Sequence, residues 1–153
     1  MDIRIRNATV DDLATIASYN IFLAQETEDK QLEPTLIEPG VAAILNNESL
    51  GRYWMAEVNG AVAGQIMVTY EWSDWRNGMI WWIQSVYVPA EFRRSGVFRS
   101  LYRHVESLVR EDQNACGLRL YVEKNNARAI QTYRDLKMSE PGYLVMESLV
   151  KNQ

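Results

Sequence analysis

The chain has 153 residues, 47% of them hydrophobic and 24% charged, which is typical of one globular domain over residues 1–153 with a substantial core. Its formal net charge of −4 argues against general nucleic-acid binding and mildly favours cationic small molecules as ligands. One cysteine and one histidine exclude a disulfide framework and a zinc site of the usual kind, and no apolar run approaches the roughly 20 residues that cross a bilayer.

The first third of the chain predicts a strand followed by helices. Ile3 and Ile5 alternate with arginines, which is the period of a strand. Thr9 precedes two aspartates and predicts the cap of a helix whose apolar face lies over residues 13–21. The polar residues 25–33 predict a loop. Pro34 opens a second helix, which Pro39 and the following glycine are expected to interrupt.

The middle of the chain predicts three antiparallel strands. Residues 53–58 and 62–72 flank Asn59-Gly60, which is the strongest short-range signal for a hairpin. Residues 73–78 predict a second turn. Residues 79–88 are almost all apolar or aromatic, so we expect them to form a central strand.

The last third predicts two helices that alternate with short strands. Residues 96–111 repeat apolar side chains at helical spacing, and residues 118–122 predict a strand. Residues 126–136 predict a helix and residues 143–150 a last strand. The fold class is therefore α/β, with a mixed, mostly antiparallel sheet flanked by helices.

Two sequence patterns carry the functional information. In the first, a strand stops at Pro89 and a turn with Arg93, Arg94 and Gly96 leads into a helix. Helix N-termini present backbone N–H groups and a positive dipole end, so this turn predicts a phosphate or pyrophosphate site. Taken alone, it is equally well read as an ordinary basic turn.

The second pattern is Asn126-Ala-Arg-Ala129-Ile-Gln-Thr-Tyr133, which follows the strand at residues 118–122. Asn126 is a helix cap, and Ala129 and Tyr133 share one helix face because they are four residues apart. A small residue one turn before a tyrosine leaves room for an extended ligand. Taken alone, the pattern also describes a capped helix with a buried tyrosine.

Together the two patterns resemble the GNAT superfamily of acetyl-CoA-dependent N-acetyltransferases. The phosphate loop of that family, Gln/Arg-x-x-Gly-x-Gly/Ala, corresponds to Arg93-x-x-Gly96-x-Phe98, and its Asn-x-x-Ala-x-x-x-Tyr corresponds to Asn126, Ala129 and Tyr133. Phe98 departs from the small residue of the family, so we expect its side chain to turn away from the phosphates. Lys137-Met138 replaces the family's Gly-Phe after the tyrosine helix.

The resemblance implies that acetyl-CoA is the cosubstrate, with no metal, and that an acetyl group passes directly to an amine. It implies a splay between the strands at 79–88 and 118–122, with Tyr133 as the general acid for the departing thiolate. The expected acetyl-CoA-binding residues belong to the strand end, the phosphate loop and the tyrosine helix: Val86, Tyr87, Val88, Arg93, Arg94, Ser95, Gly96, Val97, Phe98, Arg99, Asn126, Ala129 and Tyr133.

The general base and the acceptor site are less well defined by the sequence. No carboxylate lies in residues 81–85, where many relatives carry a glutamate. The acids available as a base, directly or through water, are Glu26, Glu28, Glu71 and Asp74, and Glu71 is our candidate among them. The acceptor candidates are acids, an aromatic residue and an amide: Glu26, Glu28, Trp72, Asp74 and Gln84. Aromatic walls with carboxylates suit a cationic amine, although each of these residues is also common on an ordinary surface or in a core.

The preferred interpretation is a cytoplasmic enzyme that acetylates a small-molecule or peptide amine, as a monomer or a homodimer. A non-catalytic acyl-CoA-binding sensor or partner subunit on the same fold is the alternative. A nucleotide-binding protein of another class is disfavoured because the sequence contains neither Gly-x-x-x-x-Gly-Lys-Ser/Thr nor Gly-x-Gly-x-x-Gly.

Overall fold

The computed structural model describes residues 2–151, in which five strands form one sheet ordered as they occur along the chain. The first four strands are antiparallel neighbours, and the fifth lies parallel to the fourth. This is the mixed, mostly antiparallel sheet that the sequence predicts. The strands are β1 (Ile3–Asn7), β2 (Arg52–Val58), β3 (Ala61–Ser73), β4 (Gly78–Tyr87) and β5 (Ala115–Leu120).

Four α-helices accompany the sheet, and their predicted starts are confirmed. Thr9 and Asp12 form a capping box just before α1, in which the Asp12 carboxylate accepts from the Thr9 N–H at 2.8 Å. Asn126 caps α4 by accepting from the Ala129 N–H at 3.1 Å. The helices are α1 (Leu13–Glu28), α2 (Pro34–Asn46), α3 (Val97–Glu111) and α4 (Ala127–Asp135).

Helices cover both faces of the sheet. On one face, Ile16 of α1 and Val41 of α2 pack with Tyr53 and Met55 of β2. On the other face, α3 lies so close to the sheet that a Cβ on Gly64 would meet Val97 Cγ1 at 3.0 Å. The long apolar β4 is an inner strand between β3 and β5, as predicted.

Two helix boundaries differ from the prediction. α1 continues through Glu28 instead of giving way to a loop at residue 25, because its last turn consists largely of good helix formers on the exposed side. α2 continues through Pro39, although a proline inside a helix costs about 3 kcal/mol. The apolar face that α2 packs against β2 outweighs this cost.

The predicted last strand at residues 143–150 is wrong for this structure, because neither helix nor strand is assigned there. Its apolar residues favour a strand, but a strand exists only when its backbone bonds to a neighbouring strand. Within residues 2–151 the sheet ends at β5.

The chain divides into two compact units, Met1–Tyr121 and Val122–Gln153. The first contains the whole sheet with α1, α2 and α3, and the second contains α4. The single domain expected over residues 1–153 therefore stays a prediction. None of the described helices is both long enough and apolar enough to cross a membrane.

Candidate active site

β4 and β5 separate before β4 ends. Their ladder runs from Met79–Ala115 to Ile83–Leu120, whereas β4 continues to Tyr87 with β3 as its strand neighbour. Over residues 84–87, the edge of β4 away from β3 has no strand partner among the described residues. An extended ligand could pair with this edge as an added strand does. The predicted binding residues Val86 and Tyr87 lie on it.

The turn between β4 and α3 has an unusual backbone. After Pro89, a single 3₁₀ turn leads to Arg93, and then Arg94 and Gly96 adopt left-handed conformations with φ of 62° and 91°. Left-handed residues in such a turn direct successive N–H groups toward one concavity, which favours anions. A Cβ on Gly96 would meet only Ile3 Cδ1, at 3.8 Å, so backbone conformation rather than crowding requires glycine there.

The start of α3 adds further donors to this turn. Its first helical bond runs from the Ser100 N–H to the Gly96 carbonyl, at 2.9 Å. Helix geometry therefore offers no intrahelical acceptor to the amides that precede Ser100. Ser95 lies inside the turn and donates its hydroxyl to the Phe92 carbonyl. This bond braces the turn.

A depression of about 220 Å³ lies at this turn. It brings together seven of the residues that the sequence assigned to acetyl-CoA, together with Phe92: Val88, Arg93, Arg94, Gly96, Val97, Phe98 and Arg99. Phe98, expected to turn away, is half-buried and belongs to this lining, and its ring lies 6.3 Å from that of Tyr102. Arginines, backbone amides and the positive end of a helix suit a pyrophosphate.

Arg93 is held by the protein at two points. Its Nε donates to the Val88 carbonyl at 2.8 Å, and its Nη2 donates to Glu26 Oε2 at 2.7 Å. The other Glu26 oxygen accepts from the Tyr87 hydroxyl at 3.2 Å. Burial, followed by the nearby Glu26 carboxylate, raises the pKa of Tyr87 above its ordinary value.

Glu26 is predicted in the acceptor site, and in the structure its carboxylate contacts the turn at residues 89–96, which we call the phosphate turn. Helix α1 reaches Tyr87 and Arg93 through this one carboxylate. Glu28, the other acid expected there, is exposed two residues further along the same helix. Residues two apart on a helix do not share a face. The two acids therefore do not form one cluster.

Glu71 lies in a separate polar and aromatic cluster on the sheet. Its Oε1 accepts from Trp82 Nε1 at 2.8 Å, and its Oε2 lies 3.7 Å from Arg119 Nη1. The ring of Tyr121 lies 4.5 Å from that of Trp82. A carboxylate has about four lone-pair sites, so Glu71 keeps the capacity to accept a further hydrogen bond. We call Glu71, Trp82, Arg119 and Tyr121 the Glu71 cluster.

The aromatic residues near Glu71 lie on opposite faces of the sheet. Trp81 is buried and stacks on Trp54 at 6.3 Å on the face that α3 covers. Side chains alternate along a strand, so Trp72 lies on the face opposite to Glu71. Trp75, in the turn after β3, is 90% exposed. The acid and the tryptophan expected together, Glu71 and Trp72, are thus separated by the sheet.

Two further acceptor candidates occupy ordinary positions. Asp74 is an exposed turn residue whose carbonyl accepts from the Asn77 N–H at 3.3 Å. Gln84 is exposed on β4 and donates to Thr69 Oγ1 at 2.8 Å. Within residues 2–151, no group of three or more histidines, cysteines or acids is arranged to hold a metal ion.

The second unit carries the tyrosine motif. Asn126 caps α4, and Ala129 and half-buried Tyr133 follow on the same helix, as the motif predicts. The Tyr133 carbonyl accepts from the Leu136 and Met138 N–H groups at 3.1 and 3.0 Å. These bonds end the helix one turn after the tyrosine.

The sequence-based prediction missed Arg119 and Tyr121, and it included Arg94 without foreseeing its left-handed conformation. Arg119 and Tyr121 alternate along the chain, and strand alternation places them on one face. Only the parallel register Trp82–Arg119 shows that this face is the one that carries Glu71. No sequence signal indicated the left-handed conformation of Arg94, because arginine has no special preference for positive φ.

Comparison with known proteins links this architecture to one family. Residues 16–138 match the family described as Acetyltransferase (GNAT) family. A possible acetyltransferase from Clostridium difficile 630 has a solved structure that is 48% identical, with a TM-score of 0.92 over 98% of this chain and 99% of that one. A search of curated proteins found no match.

More distant solved structures share the fold. An aminoglycoside acetyltransferase from an uncultured soil metagenomic sample, in complex with sisomicin, is 14% identical with a TM-score of 0.77, covering 97% of each chain. A ribosomal-protein-alanine N-acetyltransferase from Brucella melitensis biovar Abortus 2308 is 13% identical with a TM-score of 0.78, covering 97% of this chain and 99% of that one.

Proposed function

The chain belongs to the GNAT family of acetyltransferases, and from that premise we propose that it transfers an acetyl group from acetyl-CoA to a primary amine of a small molecule or peptide. The observation that carries this proposal is the continuity of β4 with the phosphate turn. β4 loses its β5 neighbour after Ile83 and leads within a few residues into the left-handed turn at Arg94 and Gly96. An extended chain that ends in a pyrophosphate matches this order of features.

In this proposal, the pyrophosphate of acetyl-CoA binds at the phosphate turn. Arg94 and Arg99 contribute charge, and the amides at the start of α3 donate hydrogen bonds. The pantetheine amides pair with the free edge of β4 near Val86 and Tyr87. Asn126 and Ala129 of α4 are included as binding residues because they match the family motif.

The proposed reaction is a direct transfer without a covalent enzyme intermediate. The neutral amine attacks the thioester carbonyl carbon, and a nitrogen–carbon bond forms as the carbon–sulfur bond breaks. The developing oxyanion accepts a hydrogen bond from a β4 amide near Val86 or Tyr87. The departing thiolate takes a proton from Tyr133 as general acid, and the nitrogen gives up its surplus proton to a base.

We propose Glu71 as that base, acting directly or through water. The proposal is supported by chemistry, since Glu71 is a carboxylate that contacts Trp82 and Arg119 on one face of the sheet. Trp82 and Tyr121 offer an aromatic surface to a cationic or ring-bearing amine. Two proteins with this fold are an aminoglycoside acetyltransferase and a ribosomal-protein-alanine N-acetyltransferase. They support both a small-molecule acceptor and a peptide acceptor and do not distinguish between the two.

The decisive experiment mixes purified protein with acetyl-CoA and a panel of amines that includes aminoglycosides, polyamines, amino acids and short peptides. Release of free CoA above the rate without amine, with an acetylated product seen by mass spectrometry, supports the enzyme. Tight binding of acetyl-CoA without release under any amine contradicts it and favours the sensor alternative.

A further inference from the structure

The Glu71 cluster lies at the base of the opening between β4 and β5. Trp82 and Arg119 are partners in the ladder that joins these strands, one step before its last pair, Ile83–Leu120. Glu71 lies on the neighbouring strand β3, and its carboxylate contacts both side chains on one face of the sheet. All four residues of the cluster belong to the first compact unit, so their arrangement is a property of that unit alone.

The position of the cluster relative to acetyl-CoA rests on the proposed function. With its pyrophosphate at the phosphate turn and its amides paired near Val86 and Tyr87, acetyl-CoA directs its thioester end back along β4 toward Ile83. Trp81 and Ile83 are buried, and strand alternation places both on the face that α3 covers. The acceptor therefore approaches the thioester from the other face, which carries the Glu71 cluster.

The cluster presents one negative and one positive group side by side. Glu71 Oε2 and Arg119 Nη1 are 3.7 Å apart, which is longer than a direct hydrogen bond and within the range of an ion pair. The side chain of Glu71 is 46% exposed, so water screens this pair and the pair contributes little to stability. A ligand with the complementary charges, an ammonium beside a carboxylate, can therefore replace the contact at small cost.

An α-amino acid carries these two groups on one carbon atom. Its ammonium suits the Glu71 carboxylate, and its carboxylate suits the guanidinium of Arg119, whose planar donors match two carboxylate oxygens. Polyamines, aminoglycosides and peptide N-termini lack a carboxylate beside the amine. The rings of Trp82 and Tyr121, with centroids 4.5 Å apart, add an apolar surface next to the charged pair.

We infer that the acceptor is a free α-amino acid with an apolar side chain, whose carboxylate binds to Arg119 and whose ammonium binds to Glu71. The ammonium gives one proton to the Glu71 carboxylate, directly or through water, and the neutral amine attacks the thioester carbonyl carbon. A nitrogen–carbon bond replaces the carbon–sulfur bond. Of the two protons that leave the nitrogen, one ends on the sulfur of CoA and the other passes to solvent. Arg119 selects the acceptor and takes no part in proton transfer.

The test compares three acceptors that share one side chain: phenylalanine, phenylalaninamide and phenethylamine. Only phenylalanine has a carboxylate. The ammonium of the amide is more acidic than that of phenylalanine and the ammonium of phenethylamine is less acidic, so protonation cannot explain a loss of activity with both. We expect kcat/KM, measured as CoA release, to be at least about tenfold higher for phenylalanine than for the other two. Leucine, leucinamide and isoamylamine should repeat this order.

A variant of Arg119 tests the residue itself. Arg119→Gln removes the positive charge, so it should lower kcat/KM for phenylalanine by at least about tenfold and change the values for the amide and the amine by less than about twofold. Arg119→Lys keeps the charge and should retain part of the preference. Arg110→Gln, which removes an exposed arginine from α3, is the matched control and should leave all three values unchanged. Thermal unfolding and titration with acetyl-CoA show whether each variant is folded.

The possible outcomes separate this inference from the proposed function. Equal kcat/KM values for the three acceptors with the natural chain, or an equal loss for all three in folded Arg119→Gln, overturn the inference. Acetylation of an aminoglycoside, a polyamine or a peptide, with none of the amino acids, overturns it and leaves the proposed acetyl transfer intact. No CoA release with any amine overturns the proposed function and the inference with it. The comparison with the natural chain needs no variant, so it decides the question even where a variant fails to fold.

Discussion

Arg93 of the phosphate turn and Glu26 of α1 form an ion pair, with Nη2 and Oε2 separated by 2.7 Å. Both side chains are 45% exposed, so solvent screens the pair. The same carboxylate accepts a hydrogen bond from Tyr87, the last residue of β4. A negative charge therefore lies beside the turn that we assign to a pyrophosphate, and an incoming phosphate competes with Glu26 for Arg93.

The first prediction concerns this competition. Glu26→Gln should bind acetyl-CoA about two- to fivefold more tightly, because an exposed ion pair is worth up to about 1 kcal/mol and the variant no longer has to break it. Calorimetric titration at low and high salt measures the effect, which should shrink as salt rises. Glu28→Gln is the matched control on the same helix. Weaker binding by Glu26→Gln would instead mean that Glu26 orients Arg93 for the ligand.

The second prediction tests the phosphate turn with an isosteric pair of variants. Gly96→Asp and Gly96→Asn both place a side chain that tolerates positive φ at the left-handed position, and they differ only in charge. We expect Gly96→Asp to weaken acetyl-CoA binding at least tenfold more than Gly96→Asn does, since its carboxylate meets the phosphates. Equal dissociation constants for the two variants would remove the pyrophosphate from this turn.

The third prediction concerns the general acid. Tyr133→Phe should lower kcat by about a hundredfold or more, because the thiolate then departs without a proton donor, while the dissociation constant for acetyl-CoA stays nearly unchanged. Single-turnover CoA release and equilibrium titration separate the two effects. Tyr102→Phe, which removes a hydroxyl from α3, is the control. An unaltered kcat in Tyr133→Phe would assign the proton to another group.

The fourth prediction separates a role for Glu71 in the reaction from a structural one. Glu71→Gln keeps the acceptor for Trp82 Nε1 and removes the charge, so the fold should remain while acetylation slows by at least about tenfold at saturating amine. The KM for acetyl-CoA should change little. Glu48→Gln, an exposed acid before β2, is the control. A rise in the KM values for both substrates, with kcat unchanged, would indicate that Glu71 has a structural role.

The fifth prediction concerns the pH dependence of stability. Hydrogen bonds from the Arg6 guanidinium, at 2.8 and 2.9 Å, lower the pKa of Asp12 below its ordinary value. The carboxylate is therefore favoured in the folded chain, and its stabilisation is complete above the ordinary Asp value. It is lost as the pH falls below that value and through the depressed folded pKa.

Asp12→Asn should accordingly reduce the free energy of unfolding by about 1–3 kcal/mol at neutral pH, because it removes one of the two carboxylate partners of Arg6, the other being Glu57. The difference from the natural chain should shrink as the pH is lowered below about 4. Urea unfolding at several pH values measures both quantities, and the exposed neighbour Asp11→Asn is the control. A difference that stays constant down to acid pH would show that the ion pair contributes nothing.

The turns and helix caps could be predicted from the sequence because interactions between adjacent residues determine them. Asn59 and Gly60 both adopt positive φ, and the hairpin between β2 and β3 follows from that preference. The capping box at Thr9, the glycine before α3 and the cap at Asn126 are likewise properties of a few adjacent residues. Gly96 and Asn126 also belong to the motifs that carry the family resemblance, so the fold class was predictable from the sequence.

Long-range packing determined what the sequence alone could not. The course of α2 through Pro39 depends on a core that it shares with β2. The membership of the Glu71 cluster depends on strand register: β3 and β4 shift against each other after Met67, and a shift of one residue exchanges the two faces. Local preferences carry no information on strand register. The sequence alone therefore could not show that the side chain of Glu71 contacts Trp82 and not the adjacent Trp72.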